Sequence, residues 1–258
     1  MAGAGGLRVC ASPDRGVSGF LVAVFGVAVL AGGTAAITGF GIGSLLTPLL
    51  ASRMGMTLAI AAVAIPHALA TAVRCWRLRH GIDWPLMRGF GLLSAAGGLV
   101  GALLYTRFSN VTLTIILGVL LLATSVAGLT NWARRAHLRS RFAASGLGFA
   151  SGFFGGVAGN QGGLRAAALL TFSLAPISFV ATSTATGLLV DAARLPFYLW
   201  RSSGALAGVA FPIAVASVGV LVGTLAGERM LVGMSPERFR TIVSVLVGLL
   251  GVWLLVSP

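Results

Sequence analysis

Two short stretches carry the residue types and spacings that could recognise a small ligand. "AAITGFGIGSLLTPLL", from Ala35 to Leu50, has glycines at 39, 41 and 43 ahead of Pro48; "GGVAGNQGGLRAAALL", from Gly155 to Leu170, has Gly159, Gly162 and Gly163 ahead of Arg165. Glycine accepts backbone angles closed to other residues and lets backbone approach backbone or ligand closely. Thr38 and Ser44 flank the first cluster, and Asn160 and Gln161 lie within the second; all four can hydrogen-bond an oxyanion. Arg165 is the only charge between Arg141 and Asp191. A helix restarting at each cluster adds free N–H groups and the positive end of its dipole, a combination that attracts anions. The chemistry expected is therefore binding of a small anion.

The elements that must position these residues are membrane helices. The chain of 258 residues is 57% hydrophobic and 9% charged, and uncharged runs long enough to cross about 30 Å of hydrocarbon follow one another along it. They are continuous rather than short and alternating, which predicts an all-α polytopic membrane protein rather than a barrel. The formal charge of +13 would suggest nucleic acid in a water-soluble chain. Here the arginines lie between apolar runs, so positive-inside topology is the simpler reading and no nucleic-acid partner is expected. Clusters at Arg74, Arg77, Arg79 and Arg88, at Arg134, Arg135, Arg139 and Arg141, and at Arg229, Arg238 and Arg240 are all expected on the cytoplasmic side.

Several activities are set aside at this stage. The chain has no lysine, which rules out a lysine Schiff base and a phosphate-binding loop of the Walker type. Cys10 and Cys75 match no metal-ligand spacing, and no metal or cofactor is expected. "GFASG" at Gly148 to Gly152 has the wrong spacing for a serine-nucleophile motif, so an enzyme is not expected.

Shifting the sequence on itself by 120 residues superposes Gly26 on Gly146, Gly32 on Gly152, Gly39 on Gly159, Gly43 on Gly163 and Arg74 on Arg194. After a two-residue slip, Gly97 falls on Gly219 and Gly101 on Gly223. This predicts one membrane domain, 1–258, with repeat one over 17–132, a basic linker over 133–141 and repeat two over 142–258. The uncharged run from Val17 to Ser52 is too long for one span at 1.5 Å per residue and too short for two spans and a turn. Each repeat is thus expected to open with a full helix and a half-length helix, broken at the glycines and folded as a hairpin, followed by three transmembrane helices. Counting crossings between arginine clusters favours inverted repeats over parallel ones. Breaks meeting near the midplane between two such repeats are the arrangement of secondary transporters.

Other side chains fit a transport pathway. Ser183 and Thr186 stand three apart in "ATSTATGLLVDAAR", on one helical face near the second break. His67 lies in an apolar helix and its range of protonation suits a proton relay. Asp191 and Arg194 are spaced as an i,i+3 ion pair, expected near the membrane face and suited to gating or proton coupling. The function read from these residues is a secondary transporter of a small anion, the alternative being a passive anion channel. The lipid bilayer and the anion are its expected partners; a homodimer is neither demanded nor ruled out by the sequence.

With duplicated glycine-rich breaks and the pattern "GFGIGSLLTPLL", the chain resembles the sulfite exporter TauE/SafE family over nearly its whole length. Each half of such proteins opens with a motif like G-x-G-G-G-x-L-x-x-P-x-L, which Gly41, Gly43, Leu45, Pro48 and Leu50 match in the first half. The second copy keeps Gly159, Gly162 and Gly163, but has Asn160 and Gln161 in the break, Arg165 at a usually apolar position and Ala168 where proline is expected. The resemblance implies export of a small anion, such as sulfite, a sulfonate or another small organic acid, across the inner (cytoplasmic) membrane of a bacterium.

Overall fold

The structure is a computed structural model that describes residues 13–39, 41–130, 141–159, 162–169, 172, 174–230 and 236–256. All regular structure among the described residues is helical. The first five helices are α1 (Pro13–Thr38), α2 (Ile42–Met54), α3 (Met56–Leu78), α4 (Trp84–Arg107, with a π turn over Met87–Gly91) and α5 (Asn110–Thr130). The next five are α6 (Arg141–Ala158), α7 (Gly162–Leu169), α8 (Pro176–Gly208), α9 (Ala210–Met230) and α10 (Pro236–Val256). The basic linker, apart from Arg141, lies outside the described residues.

Among the described residues five stretches are long and apolar enough to cross a membrane: Val17–Ile37, Met56–Gly81, Trp84–Arg107, Asn110–Thr130 and Ala210–Gly227. Large apolar side chains such as Val22, Leu30, Phe211, Leu249 and Val256 point outward, as a lipid-facing surface requires. The chain is an integral membrane protein with an all-α polytopic fold.

The expected alternation of full and short helices is present. α1 has 26 residues and α2 13, and α6 has 18 and α7 8. Pro48 is internal to α2. Three longer helices follow each short one. The packing has a reciprocal plan: α1 lies against α9 and α6 against α4, while α3 packs on α8 and α5 on α10.

Small residues make the first two of these contacts possible. A Cβ on Gly152 would sit 1.8 Å from the Ser94 carbonyl oxygen, and one on Gly97 2.1 Å from that of Phe149; on the other side, Gly223 would meet Val29 O at 2.0 Å and Gly32 would meet Val220 O at 2.2 Å. These backbones touch, and the contacts repeat at four-residue spacing through Gly97 and Gly101, Gly152 and Gly156, and Gly219 and Gly223. Without a hydrophobic force between helices in lipid, such close van der Waals contact is what holds them together.

Candidate functional site

The two breaks form where the glycines predicted them. Gly39 (φ 77°) and Gly41 (φ 132°) separate α1 from α2, and Gly159 (φ 72°) follows α6. All three occupy the region of positive φ that side-chain-bearing residues avoid. In each case the glycine N–H closes the last turn of the preceding helix, Gly39 N to Ala35 O at 3.0 Å and Gly159 N to Gly155 O at 3.1 Å.

A buried arginine caps each of those turns. Arg74 Nη1 donates to the Ala35 carbonyl and Arg194 Nη1 to the Gly155 carbonyl, each reaching back 39 residues in sequence. The last carbonyls of a helix lack intrahelical donors and carry the negative end of its dipole, so a guanidinium there satisfies both needs. This corrects one expectation: Arg74, grouped by sequence with an exposed cytoplasmic cluster, is 2% exposed, whereas Arg77, Arg79 and Arg88 do lie on the surface. The carbonyl, not the aqueous phase, is its partner.

Arg165, on the short helix α7, crosses to the other break. Its side chain is buried; Nη2 donates to Gly39 O at 3.2 Å and Nε to Ser183 Oγ at 3.0 Å. Its Nη1 has no hydrogen-bond partner among the described residues. The guanidinium lies against Gly187, where a Cβ would stand 3.1 Å from Nη1. The arrangement is reciprocal, because Thr47 of α2 lies against Gly159, its Oγ1 3.3 Å from the position of a Cβ there. Thus α7 reaches break one while α2 touches break two.

A second polar cluster joins α3, α8 and α6. Asp191 Oδ1 accepts from Arg194 Nη2 at 2.8 Å and from Nε at 3.1 Å; Oδ2 accepts from Thr71 Oγ1 at 3.0 Å and lies 2.6 Å from His67 Nδ1. Tyr198 donates its hydroxyl to the Gly156 carbonyl. Asp191 and Arg194 pair as their spacing suggested, and both are fully buried, midway along the 33-residue helix α8. Spacing along a helix sets which side chains meet and says nothing of burial, which neighbouring helices decide.

The remaining sequence-predicted residues are distributed as follows. Gly41 packs on Thr34, Gly43 and Ser44 are buried in the first turn of α2, and Gly162 and Gly163 open α7. Thr38 is the last residue of α1; its side chain, and all of Asn160 and Gln161, lie outside the described residues. Thr186 donates to Thr182 O at 2.8 Å, beside Met87 Sδ at 3.3 Å. Arg74, Thr71, Thr47 and Thr184 were not singled out from sequence. The one available signal for Arg74 was its superposition on Arg194 in the 120-residue shift.

Electrostatically, the interior described here holds three buried guanidiniums, Arg74, Arg165 and Arg194, against one buried carboxylate, Asp191. Arg74 and Arg194 neutralise helix C-termini, and Asp191 pairs with Arg194. The N-terminal ends of α2 and α7 and the free edge of Arg165 leave a positive surplus. An arrangement of this kind can hold an anion away from water.

A family model described as "Sulfite exporter TauE/SafE" matches residues 24–254. That is a family of membrane transporters and not of enzymes. No curated protein and no solved structure matches the chain.

Proposed function

This chain belongs to the sulfite exporter TauE/SafE family, and on that premise we propose that it is a secondary transporter exporting a small anion, such as sulfite, a sulfonate or another small organic acid, across a bacterial cytoplasmic membrane. The anion binds between the two helix breaks, and Arg165 is its main charge partner. The observation that carries this reading is the Arg165 guanidinium: it is 1% exposed, is held by Gly39 O and Ser183 Oγ, and has one nitrogen left without a partner among the described residues. A buried cation with an unspent donor is costly unless a ligand completes it.

The two sets of five helices act as inverted repeats: the reciprocal packing of α1 on α9 and α6 on α4 is what a two-fold relation between them produces, and the crossings counted between arginine clusters favour inversion. His67, Asp191 and Arg194 form the coupling element. Their hydrogen bonds run from a titratable imidazole through a carboxylate and Arg194 to the Gly155 carbonyl, which also accepts from Gly159 N, so a change of protonation at His67 or Asp191 bears directly on the geometry of break two. Substrate movement coupled to protons follows from that connection.

The test is the thermal shift of detergent-purified protein with sulfite, sulfate, thiosulfate, sulfoacetate, taurine and short carboxylates, since a ligand of the native state stabilises it according to occupancy. At least one anion should raise the midpoint in the wild type and fail to do so in Arg165→Ala. Unchanged affinity in that variant would remove Arg165 from the site. In proteoliposomes, saturable flux that responds to a pH gradient, with the response lost in His67→Asn, is expected of a proton-coupled carrier; unsaturable flux indifferent to the gradient would mark a channel instead.

A further inference from the structure

The run Thr182, Ser183, Thr184 and Thr186 puts four hydroxyls on two turns of α8, the helix that meets Arg165 through Ser183 and Gly187. Three of them are engaged. Thr182 Oγ1 accepts from Asp83 N at 3.0 Å, Ser183 Oγ accepts from Arg165 Nε at 3.0 Å, and Thr186 spends its single proton on Thr182 O at 2.8 Å. Thr184 is 0% exposed and its Oγ1 meets no hydrogen-bond partner among the described residues. A threonine in a helix readily donates to a carbonyl one turn back; Thr184 does not.

Its position relates this second unpartnered group to the first. Thr184 precedes Gly187 by three residues, and residues three apart on a helix have Cβ atoms about 5–6 Å apart. The Cβ position of Gly187 is in turn 3.1 Å from Arg165 Nη1, the other unpartnered donor. An oxyanion accepting at about 2.8 Å from each side bridges a gap of that order.

We propose that Thr184 is a ligand of the transported oxyanion, donating its hydroxyl proton opposite Arg165 Nη1, while Ser183 positions the arginine and Thr186 serves only the helix. This rests on the anion-transport reading above and assigns a further ligand hydroxyl within that site.

The test uses the full chain in detergent and measures sulfite binding to the wild type, Thr184→Val, Thr186→Val and Arg165→Ala, together with the unliganded melting midpoint of each. Thr184→Val should bind sulfite roughly tenfold or more weakly, as expected for losing a hydrogen bond to a charged ligand. Its unliganded midpoint should not fall, because a methyl group of similar shape replaces an unsatisfied hydroxyl. Thr186→Val should keep sulfite affinity within about twofold of wild type, since its hydroxyl serves a helix carbonyl rather than the ligand. Wild-type sulfite affinity in Thr184→Val, with binding lost in Arg165→Ala, would overturn the role of Thr184 and leave the transport reading standing. A wild type that binds no oxyanion would overturn both.

Discussion

Replacing Asp191 with asparagine probes the most highly connected side chain of the interior. Asp191 is fully buried and accepts two hydrogen bonds from Arg194, one from Thr71 and one shared with His67. Both Arg194 contacts converge on Oδ1, so the amide oxygen of asparagine takes that place and the amide nitrogen faces Thr71 and His67. Most of the geometry then survives, and what is lost is the negative charge. Arg194 keeps a neutral partner in the Gly155 carbonyl but has no counter-ion left. Removing one member of a buried ion pair costs about 3–5 kcal/mol. Because hydrogen bonding is largely retained, the lower end applies to Asp191→Asn and the upper end to Asp191→Ala. At about 2–4 °C per kcal/mol for a chain of this size, Asp191→Asn should melt roughly 6–12 °C below the wild type. The assay is thermal unfolding in detergent, run as a double-mutant cycle with Arg194→Gln. The double variant should recover at least half of the loss, since neutralising both members of a buried pair is often close to neutral. An Asp191→Asn midpoint within about 2 °C of the wild type, the shift expected from less than about 1 kcal/mol, would refute the reasoning. So would a double variant that loses the sum of the two singles.

Gly187→Ala places a methyl 3.1 Å from Arg165 Nη1, and it should displace the guanidinium and weaken anion binding several-fold in a titration while shifting the melting midpoint little. Gly152→Ala forces a carbon to within 1.8 Å of the Ser94 carbonyl on a facing helix; it should cost about 3 kcal/mol or more, whereas Gly146→Ala, with nothing within 4 Å, should melt as the wild type does. If the repeats are inverted, single cysteines at His80 and Gly208, in a background with Cys10 and Cys75 replaced by serine, should react with a membrane-impermeant maleimide from opposite sides of the membrane; labelling from the same side would make the repeats parallel.

Much of this architecture is written locally. Continuous apolar runs specify membrane helices because lipid offers no other partner for backbone polar groups, and Gly39, Gly41 and Gly159 mark the breaks because few other residues hold a positive φ. Arg165 was legible for the same reason, as a lone charge in an apolar stretch must find a purpose or a partner. What the local pattern could not express was which partner each polar side chain finds. Arg74 reads as one of several surface arginines, yet it closes a carbonyl 39 residues away; Asp191 and Arg194 read as an ion pair, and the fold buries them with His67. In the run of hydroxyls on α8, all four side chains are chemically alike in sequence. Only the packing of α7 and α4 against that helix decides that Ser183 holds the arginine, that Thr186 sits beside Met87, and that Thr184 is left without a hydrogen-bond partner among the described residues. Helices and their interruptions depend on residues a few positions apart, whereas the hydrogen-bond state of a buried side chain depends on helices brought together from distant parts of the chain.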